Sequence, residues 1–279
     1  MVRKSLAITF SLFAILAAFS PAARADITFL DQFGNISYEQ VGNGNDLTLN
    51  GTFFSADLNQ TTNAYTSASF VTPLGATQAL TQTSPTDWHF QTGFFPNLAA
   101  MEAVYTFGTY TYQGTNSTTT DTATLNYLAD DYPQSNPYLT GTDYSALQGV
   151  NANLPFTVHF SPYVTGTTAN DSFIFFTIFD NTTNTQVFNA GGGFLPATTT
   201  SYVIPTHTLT PGDSYTFELD YSNRDLVTGA GAQSAPQLGF DVRTAGTFTA
   251  AAVPEPGYVV LLGVGMAGLL ILRRRRAGA

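Results

Sequence analysis

Few side chains in this 279-residue chain are obvious candidates for chemistry, because it contains no cysteine and only three histidines. His89, His159 and His207 stand far apart, with no H-E-x-x-H pair to hold a metal and no G-x-S-x-G elbow to present a nucleophile. The lack of cysteine removes thiol catalysis, thiolate metal sites and haem attachment together. Carboxylates are the abundant reactive type, 19 in all and mostly aspartate. Two of them brought together by folding would suffice for glycoside hydrolysis, but such pairs obey no spacing rule in sequence. An exported carbohydrate-active hydrolase with a carboxylate site is therefore the alternative reading, and no catalytic residue is nominated.

Oxygen ligands in this number also raise the question of calcium. The sharpest local pattern is "GNGND" at Gly42 to Asp46, but it occurs once, and nonapeptide calcium repeats work only when stacked. Asp130-Asp131 and the stretch from Asp220 to Asp225 are further oxygen clusters without the spacing of an EF-hand loop. No cofactor or metal site is expected, with Ca²⁺ a lesser alternative. Binding is favoured over catalysis on composition. Aromatic rings can stack on sugars while amides and hydroxyls take the hydrogen bonds, and Trp88, Tyr110 and Tyr112 are the candidate glycan-stacking residues. The competing role for these rings is to fill the core.

The elements that would position such residues are strands. In "SYTFELDY" Tyr215, Phe217, Leu219 and Tyr221 alternate without error with Ser214, Thr216, Glu218 and Asp220, as in a sheet with one wet face. "FTVHF" (Phe156, Val158 and Phe160 inward) and "QLGFDV" (Leu238, Phe240 and Val242 inward) repeat that pattern. "SFIFFTIF", Ser172 to Phe179, is apolar on both faces and reads as a central strand, followed by a turn at "DNTTN". A phase slip at Gly108 between Tyr105 and Tyr110 predicts a β-bulge. Helical pattern is confined to a turn or two at Pro96 to Glu102 and near Tyr144 to Gln148. The expected architecture is all-β, an antiparallel jelly-roll-like sandwich forming one exported domain over residues 26–252.

The two ends are of a different character. Arg3 and Lys4, an uncharged run from Leu6 to Phe19, and the small residues Ala23 and Ala25 make a secretory signal peptide, cut after Ala25. At the other end Gly257 to Leu272 is an uncharged apolar run about 24 Å long as a helix, slightly short of a bilayer core. The arginines Arg273, Arg274, Arg275 and Arg276 follow it and would stay cytoplasmic, leaving the β domain outside. Between the ends, from Asp26 to Pro256, the only basic residues are Arg224 and Arg243 against 19 carboxylates, a net charge of −17. That sign repels phosphate backbones, so nucleic acid is excluded as a partner.

Pro254, Glu255 and Pro256 stand directly before the apolar run, and a plain anchor would not need them. The ordered set of Pro-Glu-Pro, span and Arg cluster at residues 253–279 resembles the PEP-CTERM sorting signal of exosortase substrates. The resemblance implies signal peptidase and exosortase as processing partners and transient anchoring in the inner membrane. Cleavage near the Pro-Glu-Pro would then deliver the protein to the cell surface or an exopolysaccharide matrix. "LPATT" at Leu195 to Thr199 imitates a sortase site but has threonine in place of glycine and lies far from any span. The function expected is that of a noncatalytic surface or matrix protein, adhesive or glycan-binding, with exopolysaccharide as partner.

Overall fold

The computed structural model describes residues 26–252 apart from residue 168. The signal-peptide residues Ala23 and Ala25, the Pro254-Glu255-Pro256 triplet, the apolar run and Arg273 to Arg276 all lie outside the described residues. Among the described residues no helix is long and apolar enough to cross a membrane.

The strands are β1 (Ile27–Gln40), β2 (Leu47–Gln60), β3 (Ser67–Val71), β4 (Thr77–Ser84), β5 (Asp87–Gln91), β6 (Gly108–Thr115), β7 (Thr120–Tyr127), β8 (Phe156–His159), β9 (Asp171–Asp180), β10 (Thr185–Asn189), β11 (Leu195–Pro196), β12 (Ser201–Ile204), β13 (Ser214–Leu226), β14 (Gly229–Ala230) and β15 (Gln237–Thr249). Two single-turn helices interrupt them, α1 (Leu98–Glu102) and α2 (Asp143–Leu147), where the sequence places its helical turns. The Asn97 side chain caps α1 by accepting from the Ala100 amide at 2.9 Å.

One sheet runs in the order β10-β9-β13-β15-β1-β2-β5-β4-β3-β6-β7-β14, with β11 paired to β9, while β8 and β12 form a separate pair. The all-β expectation holds. The pairings are antiparallel except that β1 and β15 run parallel, Gln32 lying opposite Leu238 and Ile36 opposite Val242. A jelly roll, built from two antiparallel Greek keys, does not use such a pair. The first and last strands can lie parallel because the whole intervening chain serves as their crossover.

Alternation decides which face of this sheet is buried. Along β15 the even residues Leu238, Phe240 and Val242 enter one apolar cluster, and Phe248, of the same parity, enters a second. The first is closed by β3, β6 and β7, which carry Phe70, Tyr110, Tyr112 and Leu125 back over β1, β2 and β5. The second sits under the β8–β12 pair and α2, where Val158, Phe160, Ile204 and Leu147 meet Phe176, Phe217 and Leu219. Each fully buried ring or branched chain contributes roughly 1.5–3 kcal/mol relative to exposure. Both layers cover the same face, so the other face of β2-β1-β15-β13-β9 points outward.

Two sequence expectations change in detail. Gly108 is not a bulge inside a strand. It opens β6 at φ 140°, after α1 and the residues that follow it have already brought Tyr105 into the core. A Cβ there would meet Pro73 at 2.7 Å, a second reason for glycine. β9 is paired on both sides but is not the central strand that "SFIFFTIF" suggests: it lies second from the end of the sheet, beside the short β10 and β11, and of its apolar residues only Ile174, Phe176 and Ile178 are buried, while Phe173, Phe175 and Phe179 are half-buried on the outward face.

Candidate functional site

The outward face gathers both arginines of the exported region. Arg224 on β13 and Arg243 on β15 have the parity opposite to the core residues of their strands, so each guanidinium lies on the uncovered side. Arg224 is sandwiched between the rings of Phe33 on β1 and Phe173 on β9, 4.5 and 5.2 Å from their centroids. Its Nη1 donates to Asp241 Oδ1 at 2.6 Å and to the Asn223 carbonyl at 3.0 Å. The Ser222 hydroxyl donates to the same carboxylate. Gly239 makes this packing possible: a Cβ at that position would lie 2.2 Å from Phe33 and 2.7 Å from Arg224 Nη1.

Register places the remaining groups. Asp220 on β13 lies opposite Phe175 on β9 and Arg243 on β15. Glu218 lies opposite Thr177 on β9, and its Oε1 is 3.5 Å from Arg243 Nη1. Together with Phe179, Gln186, Arg224 and Asp241, these side chains line a groove of about 320 Å³. Phenylalanines flank it on both sides. Phe194 packs on Phe173 and Phe175 with centroids at 4.8 and 5.0 Å and is 64% exposed. Phe53 meets Phe94, which is 59% exposed, at 5.6 Å.

The acids of this face are tuned by burial. Burial first, and the neighbouring Asp241 second, hold the Asp220 carboxyl well above the ordinary carboxylate range, against Arg243 and Arg224. Further along the sheet Asp31 on β1 faces Asp57 on β2. Burial pushes Asp31 up to about 8, opposed by Arg224 and reinforced by Asp57 and Asp241. Burial also raises Asp57, although His89 Nδ1 lies 2.6 Å from its Oδ1 and favours the charged form. The face thus offers aromatic surface, paired charges and carboxyls that burial holds toward their protonated form.

The residues nominated from sequence fall elsewhere. Tyr110 and Tyr112 are fully buried and Trp88 is nearly so, all within the first apolar cluster. They cannot stack on a sugar ring from outside, and they fill the core, the role that competes for them in the sequence. The histidines sit on separate elements: His89 with Asp57, His159 with Asp143 at 2.9 Å, and His207 in a left-handed turn at φ 61°. Among the described residues no three histidines, aspartates or glutamates are grouped as a metal ion requires. "GNGND" forms the turn before β2, and Leu195 of "LPATT" is buried in β11. The groove was missed because its members come from four strands, β9, β10, β13 and β15. Its one sequence signal was the outward parity of the only two basic residues in the region.

The C-terminal end is decided by comparison with known families. The family model for the PEP-CTERM protein-sorting motif matches residues 252–276, which take in Pro254 to Pro256, the apolar run and the Arg cluster. The chain carries a PEP-CTERM sorting motif. The motif marks it as an exported protein processed by exosortase and sorted to the cell surface. PEP-CTERM recognition covers the tail alone and says nothing of the β-rich region. No curated protein matches the sequence. Among solved structures, the FN1-FN3 domains of chicken CNTN1 are 11% identical at a TM-score of 0.23, covering 78% of this chain and 66% of that one. The BSP domain of a biofilm-associated protein is 16% identical at 0.20, covering 74% and 28%. A Ca²⁺-stabilized adhesin that helps an Antarctic bacterium reach out and bind ice is 11% identical at 0.24, covering 83% and 50%. Likeness at these scores carries no argument about the PEP-CTERM chain's own role.

Proposed function

We propose that this is a noncatalytic protein of the cell surface or its exopolysaccharide matrix, and that the outward face of β9-β13-β15-β1-β2 binds glycan. Signal peptidase would release residues 26–252 as one exported domain. The PEP-CTERM tail would hold it transiently in the inner membrane until exosortase cuts near Pro254-Glu255-Pro256. The observation that carries the binding role is the groove lined by Phe175, Phe179 and carboxyl, guanidinium and amide groups, with the exposed Phe194 packed against Phe175. Apolar ring faces with a few convergent polar groups are what a sugar needs from a protein surface.

A second reading has one specific observation in its favour. Asp220, pushed toward its protonated form by burial, and Asp241, paired with Arg224, line the same groove, as an acid and a carboxylate do in a glycosidase. The charges that line the groove are largely committed to each other, which favours binding over turnover. The test is retention on the producing strain's own exopolysaccharide, run beside reducing-sugar release. Retention without release is expected. Release abolished by D220N or D241N would establish the hydrolase, and the absence of both would overturn the glycan role.

A further inference from the structure

Away from the outward face, a second pair of acids meets at the edge of the first apolar cluster. Glu102 ends α1, and its carboxyl is in hydrogen-bond contact with that of Asp130, which lies just beyond the end of β7. Two ionised carboxylates have no hydrogen to give each other. Glu102 Oε1 is closed off from solvent and finds no donor, while Asp130 Oδ1 accepts from the Tyr127 hydroxyl. Of the ionisable groups, Asp130 alone acts on Glu102. Tyr127 and Tyr132 sense both acids as phenols that burial holds protonated, and Asp241 on β15 reaches only Tyr132. With no cation at hand, the hydrogen that joins the two carboxyls is a proton they share.

What this pair fastens is a plug. A helix of one turn does not hold itself, so α1 depends on its tertiary contacts. Met101 is fully buried, and Tyr105 stacks on Phe54 with centroids at 4.3 Å. Tyr132 comes in from the other side, and it and Met101 converge over Gly34 on β1, where a Cβ would strike the Tyr132 hydroxyl and lie 3.6 Å from Met101 Cε. We propose that the Glu102–Asp130 pair is a pH-sensitive latch, whose shared proton holds α1 against residues 130–132 over the first apolar cluster and whose ionisation lets α1 lift and uncover Met101 and Tyr105. The hydrogen bond from Asp130 first, and burial second, raise Glu102 from 4.5 to about 7 while α1 is closed. Once α1 lifts, the carboxyl returns to its ordinary value and releases the proton. The closing contribution is therefore complete below the ordinary value and is lost as pH rises through about 7.

The experiment is amide hydrogen exchange on the exported protein purified from its producing cells, at about pH 5, 6 and 7, with rates corrected for the intrinsic pH dependence of exchange. The reporters are the amides of Ala103, Val104 and Tyr105, which donate to the Ala99 and Met101 carbonyls and are released when α1 lifts. Amides of β13 record opening of the whole fold. In the parent the reporters should exchange faster than β13 throughout, and their opening should rise at least about tenfold from the lowest pH to the highest. E102Q and D130N each put an amide N–H where the shared proton stands, at the same size. In both, the rise should fall to less than about twofold, and at about pH 7 the E102Q reporters should exchange at least about tenfold more slowly than the parent's. Three results would each overturn the latch. One is parent reporters whose corrected exchange does not change with pH. Another is the same pH slope in parent, E102Q and D130N. The third is reporters that exchange only together with β13, since α1 would then open with the fold and not by itself. The parent measurement decides the first and third even where a variant fails to fold.

Discussion

Asp31 shows how a single buried carboxyl on the outward face shapes the pH response of the whole chain. Its pKa rises from 3.8 to about 8 on folding, so between those values the folded protein holds a proton that the unfolded chain releases. Stability from this group is complete below the unfolded value and is lost as pH rises toward the folded one. D31N should therefore melt close to the parent at about pH 4 and above it at about pH 8, by on the order of a few kcal/mol. Thermal melts across that window check this, and parallel pH slopes for parent and variant would refute it. Asp57 and Asp220 act in the same direction, so the variant flattens the slope without abolishing it. At this scale the sequence is a poor guide. Trp88, Tyr110 and Tyr112 resemble binding residues by type, but Arg224, Phe175 and Asp220 occupy the groove. Residue type is the same inside and outside, and only the packing partner distinguishes the two.

Strands were read more securely, because alternation is a local property of the chain. "SYTFELDY" marks the first part of β13, and its four apolar residues are all buried as expected. What alternation does not say is whether the second face is covered. "SFIFFTIF" predicts a central strand, but β9 lies second from the end of the sheet, and its Phe175 and Phe179 line the outward groove instead of a second core. The same order predicts a gradient of local stability. β13 pairs along its full length with β15 and almost so with β9, and β15 is held on its other side by β1. β10 and β14 are short strands at the two ends of the sheet. Native-state hydrogen exchange should be slowest in β13 and β15 and fastest in β10 and β14, with protection differing by orders of magnitude. Equal protection across these strands would mean that the central pairs do not hold the fold together.

For the molecule as a whole the decisive features lie at its ends. The intact mass of protein recovered separately from membranes and from the outer surface or medium should show a form beginning at Asp26 and ending near Pro256. Glu255→Ala should abolish that form. A chain that keeps Arg273 to Arg276 in every fraction would mean an ordinary anchor and would remove the matrix from consideration. Address and charge were legible from sequence alone: the Pro-Glu-Pro, the apolar run, the Arg cluster and the excess of acids are read by contiguous recognition or by summation, neither of which depends on folding. The all-β class was legible too, since strand periodicity is encoded within each segment. Only the tertiary structure paired β1 in parallel with β15 and, among the described residues, laid both covering layers on one face of the sheet. It alone brought Arg224, Asp220, Asp241 and Phe175 from three strands into one groove, because such contacts depend on which segments pair and what packs over them.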